Sequence, residues 1–397
     1  MSAITVPDGT SRAPLDPSKL VIKLAEVLNA VPEEPVLGRT MTDHMLICEH
    51  DPVKGWEAPE IRPYGPLTLL PTANILQYGG NAFEGLKAYV GPDGRPRLFR
   101  VEKHMERFAR GARRASLPDI EPTAVIELLK RLIAVEARWV PDKPGYGLYI
   151  RPTIISTRPY LGLGPSEHAI LYIILTPAAP FLGAGRPIAL YAEDQHVRAW
   201  PGGTGEYKMG INYAGIIGPQ AEVQLRGYDQ TLWLFGPDRC ITEAGIMNFF
   251  VVLRREDGDF DLLTPPLDGT ILPGITRRSL LELADAHTTG LTTLSGLPVH
   301  RKIHTHEVVV TMPQLRTWAE QGTLQEVFCV GTAVIVVPVG RIWFEGEDVN
   351  VLRRVQGDAD VSTSASECVS SALRDRLVAI QEGRVNWAGW SVAVDEL

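Results

Sequence analysis

The sequence predicts a two-domain protein of the α/β (α+β) class, on three observations. At 397 residues the chain exceeds the usual size of a single domain, and its 45% apolar content can fill two ordinary cores. Patterns of helical and strand period alternate along its length. Two such blocks are separated by Pro177-Ala-Ala-Pro-Phe-Leu-Gly-Ala-Gly185, which proline stiffens and glycine frees at its end. The expected division is a small domain over 1–177, a linker over 178–186 and a larger domain over 187–397.

A Pro-rich arm runs to about Pro35, and a short strand is expected at His44-Met-Leu-Ile-Cys48. Proline and charge from Asp51 to Pro66 mark loops. Ala73 to Tyr78 leads through Gly79-Gly80 into one run from Asn81 to Val90, and Asp93-Gly94 turns it back into Arg97-Leu-Phe-Arg100 as a hairpin. Met105, Phe108, Ala109 and Ala112 share one face of a helix from whose early turns Arg107 projects. A second helix over about 124–139 and strands over 148–156 and 169–176 complete the first block.

The second block opens with a strand and a glycine-rich loop, followed by a helix over about 214–225. Thr231-Leu-Trp-Leu-Phe235 and Phe249-Phe-Val-Val-Leu253 read as buried strands, closed by Gly236-Pro237 and Asp257-Gly258. Helices are expected over 276–286, from a Thr311 cap through Glu320, and around 366–381, with strands between 326 and 339. There is no internal repeat and no low-complexity segment.

Composition excludes several classes of function. With 39 basic and 47 acidic residues, a net charge of −8 and no basic cluster, nucleic acid is not an expected partner. The apolar run Ala169-Ile-Leu-Tyr-Ile-Ile-Leu-Thr176 has the size of a strand, and none reaches membrane-spanning length. Cys48, Cys240, Cys329 and Cys368 are scattered, which points to a reducing compartment. Asp8, Arg12, Asp16 and Lys19 match neither a transit nor a signal peptide, so a cytoplasmic location is expected, or a mitochondrial one if a presequence is missing.

Two stretches carry chemistry. Gly202-Gly-Thr-Gly-Glu-Tyr-Lys-Met-Gly-Ile-Asn-Tyr-Ala-Gly215 presents Lys208 in a glycine-rich bed. A nucleotide-binding P-loop is excluded, because that motif needs Ser or Thr directly after Gly-Lys. What remains is a solvated loop lysine, the plainer reading of this stretch by itself, or a desolvated amine that condenses with a carbonyl. In Ile241-Thr-Glu-Ala-Gly-Ile-Met-Asn248, Glu243 is a carboxylate in a mostly apolar run and requires a cationic partner or a raised pKa. A protonated pyridine nitrogen would be such a partner.

These stretches resemble the branched-chain amino-acid aminotransferases of the eukaryotic type, pyridoxal 5′-phosphate enzymes of fold type IV. The resemblance is carried by the Lys208 loop, Ile241 to Phe250, Thr264-Pro-Pro-Leu-Asp-Gly269, Leu272-Pro-Gly-Ile-Thr-Arg-Arg278 and Gly331-Thr-Ala333. Phe83-Glu-Gly-Leu-Lys-Ala88, Met105-Glu-Arg-Phe108 and Leu148-Tyr-Ile-Arg-Pro152 extend it into the first half. It implies a strand-rich pseudo-barrel for the larger domain, and transfer of amino groups between L-leucine, L-isoleucine or L-valine and 2-oxoglutarate. It also implies a homodimer in which Tyr78 of one protomer closes the other's site.

Residue by residue, the resemblance makes Lys208 the catalytic lysine that holds the cofactor and moves the substrate Cα proton. Glu243 would hydrogen-bond the pyridine nitrogen, and Tyr213 would stand beside the cofactor's 3′-oxygen. Arg107, the helix start Gly274-Ile275-Thr276 and Thr332 would bind the phosphate. Leu272 and Ile246 would clamp the two faces of the ring. Tyr78, Phe83, Tyr149, Arg151 and Ala333 would line the substrate side, a largely aromatic and apolar wall suited to aliphatic side chains. Other fold type IV chemistries, acting on D-amino acids, (R)-amines or aminodeoxychorismate, are the alternative, and a non-catalytic binding protein is a third possibility.

Three features depart from the family pattern, one being the variation around the functional residue in His104-Met-Glu-Arg107 and Glu206-Tyr-Lys208. Val334-Ile-Val-Val337 stands where the animal enzymes carry Cys-x-x-Cys, so no thiol switch is implied, and Ile246 replaces the usual threonine. No metal is expected: His300, His304 and His306 lie in an apparent loop and strand without a helical frame or nearby cysteine. Gly162-Leu-Gly164 lacks the third glycine and following helix of a dinucleotide fingerprint and reads as a turn.

Overall fold

The computed structural model describes residues 12–179, 186–351 and 367–395. These form two compact units. One comprises 12–179, Tyr207–Ile211 and 381–395, and the other 186–206, 212–351 and 367–380. Against the expected cut near residue 177, two pieces of the second half, the Lys208 pentapeptide and the end of the chain, group with the first unit.

The first unit is built on a ten-stranded sheet. Its spatial order is Val21–Ile22, Glu60–Pro63, His44–Asp51, Ala169–Ala178, Gly147–Ser156, Leu86–Val90, Pro96–Phe99 and Ser391–Ala393, with Gly55–Trp56 and Asn81–Phe83 paired beside this path. Helices Val101–Arg114 and Pro122–Val135 cover one face. Met105, Phe108, Leu128, Leu129 and Leu132 pack there with Leu46, Leu86, Ala88, Leu148, Ile150 and Leu171. Strand alternation turns Phe83, Lys87, Tyr149 and Arg151 to the other face.

In the second unit six strands close into a ring: Ile188–Glu193, Gln230–Phe235, Cys240–Ala244, Met247–Arg254, Leu324–Gly331 and Ile335–Phe344, the last pairing in parallel with the first. Phe260–Thr264, Ile303–Glu307 and Glu347–Asn350 extend it to nine strands. Closure leaves the six ring strands without a free edge along their paired lengths, and this is the expected pseudo-barrel. Leu190, Leu232, Phe249, Val251, Val327 and Val339 form its apolar cluster with Met312 and Leu315 of helix Met312–Gln321. Thr311 caps that helix in a capping box with Gln314.

Several local expectations need correction. The run from Asn81 to Val90 is broken at Glu84-Gly85, where Glu84 N–H donates to Pro152 O at 2.8 Å. The helix expected over 214–225 is two pieces, Ile211–Ala214 and Ile217–Leu225, parted at Gly215-Ile216. Pro177 and Ala178 end a strand, paired with Leu148 and Gly147, rather than beginning the linker; 180–185 lie outside the described residues, as does Ser366 at the start of the expected last helix. That helix is Val369–Gln381, and the strand Ser391–Ala393 beyond it was not anticipated.

Candidate active site

In the first unit the Lys208 loop runs along strand Asn81–Phe83 and beside helix Val101–Arg114, whose Arg110 guanidinium stands 4.9 Å from the centre of the Tyr207 ring. Phe83 N–H donates to Lys208 O at 3.0 Å, and Gly210 N–H donates to Asn81 Oδ1 at 2.9 Å, so both ends of the short segment are tied to strand Asn81–Phe83. A side chain at position 210 would collide with Asn81, its Cβ lying 2.5 Å from Oδ1. Lys208 is half-buried, its Nζ 5.1 Å from the centre of the Phe83 ring. The solvated loop lysine is thereby replaced by a lysine held against an aromatic face.

Tyr149 and Arg151 share the sheet face of Phe83. Arg151 Nη2 donates to Tyr149 Oη at 3.0 Å, and its guanidinium lies 4.8 Å from the Phe83 ring. Lys208, Phe83, Tyr149 and Arg151 therefore form one group. Tyr78, at the end of the short helix Asn74–Tyr78, is 42% exposed, and its hydroxyl accepts from Gly162 N–H at 3.3 Å.

Arg107 is buried, and its Nε and Nη2 donate to both oxygens of Glu84 at 2.7 and 2.6 Å, a bidentate pair that fixes the guanidinium plane. His104 Nδ1 lies 3.3 Å from the same carboxylate. Burial works against the Glu84 charge, but Arg107 and His104 outweigh it and hold the carboxyl well below its usual range. His104 is itself pushed down, by burial first and by the Arg107 and Lys208 charges besides, against the pull of Glu84.

In the second unit Glu243 lies on the strand Cys240–Ala244, 1% exposed. Its cation is Arg198, with Nε 2.6 Å from Oε2. Oε1 accepts from Asn248 Nδ2 and from Leu272 N–H, each at 3.1 Å, and Asn248 Nδ2 also donates to Leu272 O at 2.9 Å. Gly274, the N-cap of helix Ile275–Thr288, packs so tightly here that a Cβ would lie 2.0 Å from Asn248 Oδ1. No side chain caps that helix, which leaves its first N–H groups available to an anion.

Two hairpin tips flank this locus. Gly245-Ile246 joins Cys240–Ala244 to Met247–Arg254, and Thr332-Ala333-Val334 joins Leu324–Gly331 to Ile335–Phe344. The pairing of Asn248 with Val330 sets the tips side by side. Of the two central residues in the first tip only Gly245 has positive φ, at 58°, as a II′ hairpin requires. Its carbonyl accepts from Trp233 Nε1 at 2.9 Å, and Ile246 is left 57% exposed. Glu243, Ile246, Leu272, Ile275, Thr276, Thr332 and Ala333 thus gather at one end of the barrel. Tyr213 is half-buried in the short helix Ile211–Ala214.

The sequence reading missed Arg198, Asn248, Glu84 and His104. Glu84 carried a usable signal, since it is a carboxylate in an apolar run like Glu243. Arg198 and Asn248 carried none, because only the fold brings them to Glu243. As for the histidines, His304 and His306 pair with Asp259 and Asp261 at 3.3 and 2.9 Å, and among the described residues no group of three His, Cys, Asp or Glu could hold a metal.

Residues 81–342 match the amino-transferase class IV family. The mitochondrial branched-chain-amino-acid aminotransferase of Saccharomyces cerevisiae is 41% identical over 395 residues, covering 97% of this chain and 95% of the yeast protein. The cytosolic enzyme of Mus musculus is 38% identical, covering 94% and 92%. Among solved structures, the branched-chain aminotransferase of Thermoproteus uzoniensis with norvaline superposes with a TM-score of 0.66 at 22% identity, covering 89% of this chain and all of that one. The Escherichia coli enzyme gives 0.65 at 22% identity, covering 88% and 99%. With one fold across that distance and about two-fifths of its residues shared with the eukaryotic relatives, the chain belongs to the branched-chain-amino-acid aminotransferase family of class IV amino-transferases.

Proposed function

We propose that the protein transfers amino groups between L-leucine, L-isoleucine or L-valine and 2-oxoglutarate, as a homodimer with pyridoxal 5′-phosphate as cofactor. The observation that carries this reading is Lys208 held against Phe83 beside Tyr149 and Arg151, a reactive amine facing an aromatic wall with few polar handles. The donor set suits the cofactor. It offers a buried carboxylate for a pyridinium, an uncapped helix start and an arginine for a phosphate, and a lysine for a carbonyl.

Bound pyridoxal phosphate supplies the carbonyl that exchanges the amino group and the ring that accepts the electrons of the substrate Cα–H bond. Lys208 would hold the cofactor through its amine and would move the proton at the substrate Cα. Phe83 shields that amine from bulk water. Glu243, its carboxylate fixed by Arg198 and Asn248, would keep the ring nitrogen protonated. Tyr213 would stand beside the 3′-oxygen. Arg107, Ile275, Thr276 and Thr332 bind phosphate, with Glu84 orienting the arginine. Leu272 and Ile246 would bear on the ring faces, and Tyr78, Tyr149, Arg151 and Ala333 would receive the substrate.

Support for the dimer comes from apolar exposure around Tyr78. Thr72 Oγ1 donates to Pro159 O at 2.8 Å, which with the Tyr78–Gly162 bond ties two neighbouring segments together. These segments expose Leu76, Tyr160, Leu161 and Leu163, the last by 88%. Four free cysteines support a reducing compartment, and we place the protein in the cytoplasm. The test is a substrate panel: glutamate should form from 2-oxoglutarate with leucine, isoleucine and valine. Preference for D-alanine or an (R)-amine would overturn the reading.

A further inference from the structure

Tyr207, the residue before Lys208, is held by the same helix that carries Arg107. On Val101–Arg114 the positions 107, 110, 111 and 114 follow one another at helical spacing, so they form one stripe along the helix. Arg107 and Gly111 are buried on that stripe, Arg107 against Glu84. A Cβ at Gly111 would come to 3.2 Å from the Ala82 Cβ and 3.9 Å from Lys208 O, so the stripe faces both strand Asn81–Phe83 and the lysine segment. Arg110 and Arg114 then reach Tyr207. Their guanidinium carbons lie 4.9 and 5.7 Å from the centre of its ring, close enough for cation–π attraction.

Tyr207 stands at the base of a tight turn. Met209 N–H donates to Tyr207 O at 3.0 Å, which closes a three-residue turn with Lys208 at its apex. The outgoing chain is fixed by the bonds from Phe83 N–H to Lys208 O and from Gly210 N–H to Asn81, and the incoming chain through the Tyr207 ring. The amine proposed to hold the cofactor and the guanidinium proposed to bind its phosphate are in this way both referenced to one helix. A misplacement of about 1 Å between such groups can cost up to about 100-fold in rate.

We propose that Tyr207, clamped by Arg110 and Arg114, is a positioning residue that sets where the Lys208 amine stands relative to Arg107. The inference rests on Lys208 as the cofactor-bearing lysine of the aminotransferase reading. The ring rather than the hydroxyl makes the clamp, so Tyr207→Phe keeps it, and Tyr207→Leu removes it while leaving an apolar side chain. Arg110→Met keeps the stem and removes the guanidinium.

The experiment compares kcat and KM for leucine, and the visible circular dichroism of the bound cofactor, in the holoenzyme and these variants. Hydrogen exchange of the 207–211 segment is measured beside them in the cofactor-free proteins. Tyr207→Leu should lower kcat by about tenfold with KM within about twofold, weaken the circular dichroism, and speed exchange in 207–211. Arg110→Met should give part of each effect and add little to Tyr207→Leu, whereas Tyr207→Phe should stay within about twofold of wild type throughout. A folded Tyr207→Leu protein with kcat within about threefold of wild type, or with circular dichroism and exchange unmoved, would overturn the proposal, as would equal losses in the Phe and Leu variants. If Tyr207→Leu does not fold, Arg110→Met decides in the same terms. A wild type whose cofactor is carried by another lysine, or which does not transaminate leucine, would instead defeat the reading beneath, and the exchange result would still test the clamp.

Discussion

Glu84 shows how much one buried carboxylate organises. It is fully buried, chelated by Arg107 and flanked by His104, so removing its charge strands a guanidinium in the core of the first unit. Glu84→Gln is expected to cost about 3–5 kcal/mol in urea unfolding. The pair also sets a pH dependence. A carboxyl held below its unfolded value contributes stability that is present above that value and lost as pH falls toward the folded one. A histidine held below its unfolded value likewise favours the folded state at neutral pH and weakens it once the unfolded chain takes up protons. Both act in one direction, so the melting temperature should fall as pH drops from about 7 to about 3, and Glu84→Gln should flatten the part of that slope below about 4.5. A melting temperature that rises on acidification would contradict the account. At this scale the sequence was legible where a residue's chemistry clashed with its surroundings, as at Glu243, whose need for a cationic partner Arg198 meets. It was silent where a role depends on a tertiary neighbour, as for Arg198, which meets Glu243 from 45 positions away (243 minus 198).

The strands and helices matter here mainly through their ends. The Gly245-Ile246 and Thr332-Ala333-Val334 tips and the start of helix Ile275–Thr288 are set by tight contacts, the tightest being the packing of Gly274 on Asn248. Asn248 is 5% exposed and committed to Glu243 and Leu272, so it cannot swing aside cheaply. Gly274→Ala should therefore destabilise the protein by about 1–3 kcal/mol and weaken cofactor binding in the same variant, measured by unfolding and by cofactor titration. An alanine variant with wild-type stability and affinity would show that Asn248 does not hold the site. Long periodic elements were legible in advance, including the helix capped by Thr311 and the long strands of both sheets. Breaks such as Glu84-Gly85 and Gly215-Ile216 were not. Nor was Ser391–Ala393, whose three residues make sense only when paired with Pro96–Phe99.

Across the whole molecule, the proposed site residues divide between the two units, Lys208 and the candidate substrate wall in one and Glu243 and the start of helix Ile275–Thr288 in the other. The chain's path could not be read from composition, because the pentapeptide Tyr207–Ile211 leaves the second unit for five residues without any shift in residue type. If Tyr78 closes a partner's site, mixing inactive Lys208→Ala with inactive Tyr78→Ala protomers under exchange conditions should restore part of the activity, by forming one intact site per heterodimer. No rescue, with exchange confirmed, would return Tyr78 to its own protomer. The most direct test of the central claim is to reduce the purified holoenzyme with borohydride and map the pyridoxyl label by peptide mass. The account predicts a single label on Lys208, absent from a folded Lys208→Ala protein. A label on any other lysine, or a folded wild-type protein that takes up no pyridoxal phosphate at all, would contradict it.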